Sequence, residues 1–242
     1  MNRKATARLH VLTARNSPRA VIFRRGPSKQ VCSFLWNRDS DTFEMGQWFK
    51  GRIYEERCDL SPDGKYLLYF ALKNVLRPGP AGDTWTAISR APWLKAIELY
   101  PECGTWTGGG RFVTDSQFVL TNTTDPPMIQ SDEVQRVGGQ DWRVTDYPEL
   151  IPLHENPHPK GWVLRMGNHD PNPNLYRLIN ETSGAEIHCD SWEWAELTPD
   201  SVAWASGGCL YRASIEDASA IGPPRMLYDF NPLTFEAIQA PY

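Results

Sequence analysis

Residues Cys58 to Phe70 read Cys-Asp-Leu-Ser-Pro-Asp-Gly-Lys-Tyr-Leu-Leu-Tyr-Phe. Ser61 to Gly64 have the composition of a tight turn, because proline presets φ at the second turn position and glycine accepts a positive φ. A segment of mixed polarity precedes this turn, and the apolar run Tyr66 to Leu72 follows it. The stretch therefore predicts a β-hairpin, around which the rest of the chain can be aligned.

Weaker copies of this hairpin recur along the chain. Turn residues followed by an apolar strand are found at Pro18, Pro62, Gly109, Pro159 and Pro199. These five markers are 44, 47, 50 and 40 residues apart, and the tripeptide Leu-Tyr-Arg occurs at the same place, 175–177 and 210–212, in the last two repeats. Four short antiparallel strands with their turns need about 45 residues, the size of one blade of a β-propeller.

We therefore predict an all-β fold, a β-propeller of five four-stranded antiparallel blades. The 242 residues fit one such domain, 1–242, and the 18 Gly and 20 Pro argue against long helices. The predicted blades span 8–50, 53–100, 103–147, 149–190 and 193–238. The closure of the ring stays open, with Phe235 to Ile238 as one candidate closing strand.

The third repeat is predicted from glycines. Gly108 to Gly110 are interpreted as a tight turn between a strand at 104–107 and a second strand at 112–121. No Gly-Lys-Ser or Gly-Lys-Thr follows these glycines, as a phosphate-binding loop would require. A phosphate-binding loop is therefore not predicted here, and no cofactor is predicted for the chain.

The segment Leu60 to Leu67 resembles the hairpin motif Leu-Ser-Pro-Asp-Gly-Lys-x-Leu of TolB-like and WD-repeat-like β-propellers. The copy at Leu197 to Asp200 lacks the glycine, and Ser17-Pro18 lacks both the aspartate and the glycine. The resemblance implies the propeller fold over most of the chain. It implies little about function, because such propellers serve as docking platforms, enzyme gates and catalytic cores.

The chain contains ten tryptophans, which fit the same prediction. Large flat side chains fill space well between radially packed sheets. We therefore expect the tryptophans to lie in the wedges between blades, among them Trp48, Trp106, Trp162, Trp194 and Trp204.

Charge is distributed unevenly. No carboxylate precedes Asp39, while nine Arg and Lys residues give this segment a charge of +9 and leave −13 on the remainder. Such a basic segment suits nucleic acid or an acidic partner, although basic side chains also protect an exposed edge strand from aggregation. Edge protection is the preferred interpretation.

Cysteine usage and the N-terminal sequence predict a reduced, cytoplasmic setting. The five cysteines are odd in number and include no Cys-x-x-Cys pair, so neither a disulfide framework nor a zinc knuckle is indicated. Met1 to Arg8 lack the apolar core of a signal peptide, and the longest apolar run, 66–72, is too short to cross a bilayer.

Four residues form the densest group of metal-competent side chains, namely His154, His158, His169 and Asp170. The three-residue gap between the first two histidines resembles part of a zinc site, but Pro157 and Pro159 exclude the helix on which such a pair would share a face. Residues 167–170 resemble a metal-binding motif of metallophosphoesterases, whose other motifs are missing here. We predict no metal site and keep these four residues as weak candidates.

Carboxylates on or beside the predicted inner strands are the candidate binding residues of a central funnel, namely Glu55, Asp59, Glu149, Glu193 and Glu196. In five-bladed glycosidases such carboxylates act as general acid and base. No spacing here singles out such a pair, and no Gly-x-Ser-x-Gly motif exposes a nucleophilic serine. No catalytic residue is therefore assigned, and a non-enzymatic role is the preferred interpretation, with an enzyme left open.

The leading prediction is a non-enzymatic propeller scaffold that binds a protein or peptide partner, a role that would suit a bacterial adaptor or immunity protein. The alternative is a carbohydrate-active propeller that uses the inner-strand carboxylates. A third prediction is nucleic-acid binding through the basic N-terminal blade.

Overall fold

The computed structural model describes residues 6–26, 29–73, 79–121, 125–138, 151–152, 158–169 and 172–242. Within these ranges the chain is all-β, as predicted, with a single turn of 3-10 helix at Glu55–Arg57. No helix in this part of the chain is long and apolar enough to span a membrane.

The first two sheets are formed by consecutive parts of the chain. The first sheet contains, in spatial order, β1 (Arg8–Thr13), β2 (Arg19–Arg25), β3 (Gln30–Asn37) and β4 (Thr42–Lys50). The second sheet contains β5 (Arg52–Ile53), β6 (Asp59–Leu60), β7 (Tyr66–Leu72), β8 (Thr84–Arg90) and β9 (Ala96–Pro101). Its order is β5-β7-β8-β9, and β6 also pairs with β7, antiparallel.

Three further sheets follow in chain order. The third contains β10 (Gly110–Phe112), β11 (Gln117–Leu120) and β12 (Gln135–Arg136). The fourth contains β13 (Ile151–Pro152), β14 (Trp162–His169), β15 (Asn172–Asn180) and β16 (Glu186–Cys189), and the fifth contains β17 (Trp194–Leu197), β18 (Ser201–Ser206), β19 (Cys209–Ser214) and β20 (Arg225–Asp229). The fourth and fifth sheets are antiparallel throughout.

The hairpin predicted at Ser61 to Gly64 is confirmed. Ser61 is fully buried, and its hydroxyl accepts hydrogen bonds from the backbone N–H groups of Lys65 and Tyr66, at 3.0 and 2.9 Å. Asp63 accepts a second bond from the Lys65 N–H at 2.9 Å, and Gly64 has φ +74°. The turn thus satisfies its own backbone donors before β7 begins.

This turn also contacts the Ser-Pro turn of the first sheet. The N–H of Asn16 donates to the carbonyl of Pro62 at 2.8 Å, and the Ser17 hydroxyl donates to the carbonyl of Asp63 at 2.9 Å. A Cβ on Gly64 would lie 2.6 Å from Cβ of Arg19. Two turns that share a sequence signature therefore pack directly against each other.

The β7 strand is buried on both faces. Leu67, Tyr69 and Ala71 belong to a core cluster shared with the first sheet, which contributes Val21 and Phe23. Tyr66 and Leu68 belong to a second cluster, shared with β10 and β11 of the third sheet. Alternate residues of one strand therefore pack against two different sheets, which explains why this strand reads as an unbroken apolar run.

The chain divides into two compact units. Unit 1 comprises Met1–His10 and Val144–Leu233, and unit 2 comprises Val11–Arg143 and Thr234–Tyr242. The core of unit 1 lies between the fourth and fifth sheets, where Trp162, Leu178 and Trp204 are buried together. The prediction that 1–242 form one domain stays a prediction.

The third sheet differs from the sequence prediction. Residues 104–107 form a loop rather than a strand, and the hairpin turn lies at 113–116, where the N–H of Val113 donates to the carbonyl of Gln117 at 2.7 Å. Gly108 and Gly109 precede β10, and Gly108 is required by a close approach, because a Cβ on it would lie 2.4 Å from the Phe70 ring. In addition, β12 pairs with β11 in parallel, so this described sheet is not wholly antiparallel.

We expect Gly64→Ala to lower the free energy of unfolding by about 2–4 kcal/mol. An alanine there adopts a left-handed conformation and also clashes with Arg19. Gly82→Ala is the matched control, since Gly82 has φ +73° and no atom lies within 4 Å of the position that a Cβ would take, and we expect it to cost about 1 kcal/mol. Urea unfolding at constant m-value measures both, and equal losses would contradict the packing of the two turns.

Candidate functional site

Glu55, a predicted funnel residue, is held by an arginine. Its side chain is largely buried in unit 2, and Nη1 of Arg25 lies 3.0 Å from Oε1 and 3.2 Å from Oε2. Burial raises the pKa of Glu55, and the charges of Arg25 and Arg52 offset this only in part. The carboxylate therefore compensates a neighbouring cation.

Asp59 caps the edge of another sheet. Its Oδ2 accepts a 2.7 Å hydrogen bond from the N–H of Phe112, the last residue of the edge strand β10. Arg15 donates to the carbonyl of Phe112 at 2.9 Å, and its guanidinium lies 3.9 Å from Asp59 Oδ2. Both backbone groups of Phe112 are thus satisfied by side chains, and burial raises the pKa of Asp59.

Unit 1 also contains a carboxylate that accepts a hydrogen bond from a backbone N–H of an edge strand. Oε2 of Glu193 accepts a 2.7 Å hydrogen bond from the N–H of Leu9 in the edge strand β1. Glu196 lies on β17 opposite Ala203 and is half-buried. Glu149 lies outside the described residues. Of the five predicted funnel carboxylates, the structure thus places Asp59 and Glu193 on backbone donors of edge strands.

The weak metal candidates are not brought together in the described part of the chain. Both ring nitrogens of His158 take part in local bonds, Nδ1 accepting from the N–H of Lys160 at 3.1 Å and Nε2 lying 3.0 Å from the carbonyl of Thr198. The backbone of His169 ends β14, but its side chain is not described, and His154 and Asp170 lie outside the described residues. Among the described residues no group of three metal-competent side chains occurs.

Several basic side chains of the N-terminal segment are used inside the fold. The guanidinium of Arg38 donates to the carbonyls of Ala14, Ser17 and Pro18, at 3.1, 2.7 and 3.3 Å. Arg24 is buried and donates to the carbonyl of Gly26. Together with Arg15 and Arg25, these residues donate hydrogen bonds to backbone carbonyls or pair with carboxylates. Part of the basic N-terminal segment therefore has partners inside the fold.

Trp106 was expected in a wedge between blades, and that prediction is wrong. Its side chain is 92% exposed, in the loop between β9 and β10. By contrast, Trp162 and Trp204 are buried in the core of unit 1, between the fourth and fifth sheets. Because exposed indole surface is unfavourable in water, a solvent-facing tryptophan of this kind is a candidate binding residue.

The loop that carries Trp106 is fastened on both sides. Nη1 of Arg57 donates to the carbonyls of Thr105 and Thr107, at 2.8 and 3.1 Å. The Thr107 hydroxyl donates to Oε2 of Glu102 at 3.2 Å. The backbone around the indole is therefore positioned while the indole itself remains in solvent.

Arg57 also connects the loop to an aromatic pair. Its guanidinium lies 5.5 Å from the centroid of the Phe70 ring and 5.7 Å from that of Tyr54, and the two rings are 4.9 Å apart. The guanidinium of Arg52 stacks over Tyr54 at 4.4 Å. We call Arg52, Tyr54, Arg57 and Trp106 the Trp106 surface, an arrangement that combines aromatic and cationic groups.

Sequence reasoning missed this surface. The local signal is the setting of Trp106 within Gly-Thr-Trp-Thr-Gly-Gly-Gly, where turn-forming and polar residues surround one large apolar side chain. A core tryptophan on a strand has apolar neighbours two residues away, and Trp106 has Gly104 and Gly108 there instead. Its exposure could have been inferred from this pattern.

We expect Asp59→Asn to be more stable than the wild type at pH 7. Because burial raises the pKa of Asp59, its carboxyl group binds a proton more tightly in the folded chain than in the unfolded chain. Ionisation of Asp59 therefore lowers the stability of the fold as pH rises from about 3.9, the unfolded pKa, through the folded pKa. The amide oxygen still accepts from the N–H of Phe112. The two proteins should therefore converge near about pH 4 in urea unfolding followed across pH.

Asp59→Ala is the companion variant. Because it leaves the N–H of Phe112 without its acceptor, we expect it to be about 1–3 kcal/mol less stable than Asp59→Asn at every pH. An alanine variant as stable as the asparagine variant would contradict the capping role, and an asparagine variant that gains nothing at neutral pH would contradict the raised pKa.

No protein-family model matches the chain, and no curated protein matches it. Among solved structures, the chain is similar to the uncharacterized protein lmo1340 from Listeria monocytogenes EGD-e, with a TM-score of 0.36 and 10% sequence identity. The match covers 90% of this chain and 66% of that chain.

Proposed function

We propose that the chain is a five-bladed β-propeller of the TolB-like or WD-repeat-like kind, a non-enzymatic scaffold in the cytoplasm that binds a protein or peptide partner. The partner binds at the Trp106 surface. The single observation that carries the proposal is the 92% exposure of Trp106 on a loop whose backbone is fixed by Arg57.

Packing within each unit supports the propeller. In unit 2 the second sheet shares one core cluster with the first sheet and another with the third. In unit 1 the fourth and fifth sheets share a cluster. Face-to-face packing of sheets that follow one another in the chain is the arrangement that radial repetition of blades requires.

The chemistry of the Trp106 surface supports a protein or peptide partner. Tryptophan, tyrosine and arginine are the residues that most often dominate the binding energy of protein interfaces. Because hydrogen bonds already fix the loop backbone, binding loses less conformational entropy than it would on an unanchored loop. The surface therefore combines an exposed indole with the arginine that holds its loop and with a tyrosine that this arginine contacts.

The contacts of the predicted funnel carboxylates support a scaffold rather than an enzyme. A catalytic carboxylate must be within hydrogen-bond reach of a substrate proton, whereas Asp59 and Glu193 accept from backbone N–H groups. Glu55 is paired with Arg25. These interactions give the three carboxylates a role in stabilising the fold.

A carbohydrate-active propeller is the second candidate function. The observation that favours it is the raised pKa of Glu55 and Asp59, since a glycosidase needs one carboxyl group that stays protonated as general acid. It predicts that an oligosaccharide raises the melting temperature, because a ligand of the native state stabilises it.

Nucleic-acid binding, the third candidate, predicts salt-dependent retention on heparin.

We expect Trp106→Ala to abolish capture of the partner without changing stability. In affinity capture from the native host, proteins retained by the wild type should be lost from this variant, with at least about a tenfold decrease in recovery. The melting temperature should stay the same, because the side chain is solvent-exposed. Met226→Ala is the matched control, since Met226 is an exposed apolar residue of unit 1 at 54% exposure.

Equal recovery from the two variants would overturn the assignment of this surface. Turnover or thermal stabilisation by an oligosaccharide panel, without any captured protein, would favour the second candidate function instead.

A further inference from the structure

The segment Thr234–Tyr242 lies on unit 2 without forming a strand. Most of its side chains are exposed, and it contributes no rung to any β-ladder of the described sheets. It is held at three points along its length, each by a different kind of contact. The residues that hold it are Gln47, Trp48, Lys50, Arg90 and Lys95, and together with Leu94, which donates to Gln47, we call them the 47–95 groove.

The first point is an aromatic anchor. The Phe235 ring lies 5.9 Å from the Trp48 ring in a tilted arrangement, and Nζ of Lys50 lies 4.1 Å from the centroid of the Phe235 ring. Burial raises the pKa of the Cys32 thiol to about 12, and Glu236 makes a smaller contribution in the same direction. The start of the segment therefore lies close to β3 and β4.

At the second point, a side chain forms a hydrogen bond with the backbone of the segment. Nε2 of Gln47 donates to the carbonyl of Ile238 at 2.9 Å, while Oε1 of the same side chain accepts from the N–H of Leu94 at 2.8 Å. The amide of Gln47 thus bridges the groove and the segment. Since the bond goes to a carbonyl, this point accepts an extended chain of varied sequence.

The third point is specific for tyrosine. The hydroxyl of Tyr242 donates to the carbonyl of Lys95 at 2.7 Å and accepts from the N–H of Arg90 at 3.0 Å. The guanidinium of Arg90 stacks over the ring at 4.4 Å from its centroid. A phenylalanine would keep the stacking and leave both backbone groups without this partner.

We propose that the 47–95 groove is a peptide-binding site, and that residues 234–242 occupy it as a built-in ligand which a partner's peptide displaces. The ligand is an extended peptide with an aromatic residue at its first anchor and a tyrosine seven residues later, the spacing of Phe235 and Tyr242.

Two features make the segment displaceable. None of the contacts described between the segment and the rest of unit 2 is a backbone–backbone hydrogen bond, so a competing peptide needs to break no ladder. In addition, Nε1 of Trp48, the ring of which lies beside Phe235, is buried with no hydrogen-bond partner among the described residues. An unpaired buried donor is unfavourable, so a peptide that supplied an acceptor to it would bind better than residues 234–242 do.

The groove goes beyond the function proposed above, and it shares no residue with the Trp106 surface. A variant in one region leaves the other intact, so failure of either proposal can be recognised separately. The proposal for the groove requires neither a propeller nor a partner at Trp106.

The test is a titration of the full chain with a fluorescein-labelled, C-terminally amidated peptide of sequence Thr-Phe-Glu-Ala-Ile-Gln-Ala-Pro-Tyr. The tethered segment competes at an effective concentration in the millimolar range and masks the groove in the wild type. Tyr242→Ala loosens the segment, so we expect this variant to bind the peptide at least about tenfold more tightly than the wild type does, measured by fluorescence anisotropy.

Two controls define the binding site. Replacing the phenylalanine and tyrosine of the peptide by alanine should weaken binding to Tyr242→Ala at least about tenfold. The double variant Gln47→Ala with Tyr242→Ala should lose affinity in the same way, because the bridging amide is gone. Phe235→Ala is a second way to loosen the segment, and it should raise the affinity for the peptide as Tyr242→Ala does.

Equal affinity for the natural and the alanine-substituted peptide would overturn the proposal. It would also be overturned if Tyr242→Ala and Phe235→Ala both lost the cooperative unfolding transition, since residues 234–242 would then be an integral part of the fold rather than a ligand.

Discussion

The structure of unit 2 depends on burying both faces of β7. A single sheet can cover only one of these faces, so the first and third sheets pack against opposite sides of the strand. The hairpin turn at Ser61 to Gly64 fixes which residues face each side, because a shift of one residue would exchange the two sets. Burial of apolar surface on this scale is the main favourable contribution to folding.

Edge strands impose a second constraint, which explains where the charged residues lie. Among the described strands, β1 and β10 lie at the edges of their sheets, so some of their backbone groups have no partner in a neighbouring described strand. Glu193 and Asp59 accept from these N–H groups, and Arg15 donates to a carbonyl of β10. Carboxylates that suggest catalysis in the sequence therefore have a structural use, which also protects the edges from pairing with other chains.

Function is proposed for two surfaces that differ in design. The Trp106 surface offers an exposed indole on an anchored loop and suits a partner that brings its own apolar contact. The 47–95 groove is already occupied by residues 234–242. It binds a backbone carbonyl of this segment between two aromatic anchors, Phe235 and Tyr242. Both surfaces belong to unit 2, and both use arginine or lysine beside aromatic rings.

The sequence by itself determined the class of fold and the position of the central hairpin. Turn chemistry and apolar runs are local, so β7 at Tyr66–Leu72 coincides with the apolar run that follows the predicted turn, and the first sheet, from β1 to β4, coincides with the predicted segment 8–50. The third sheet was misplaced because Gly108 serves a close approach to Phe70, a contact that no local pattern reveals.

Only the tertiary structure decided what the charged and aromatic side chains do. Asp59 binds a backbone group 53 residues away, and Glu193 binds one 184 residues away. A carboxylate in the sequence looks the same whether it will face a funnel or cap a strand. The difference is set by which edge strand the folded chain brings within hydrogen-bond distance, and that depends on contacts between residues far apart in the chain.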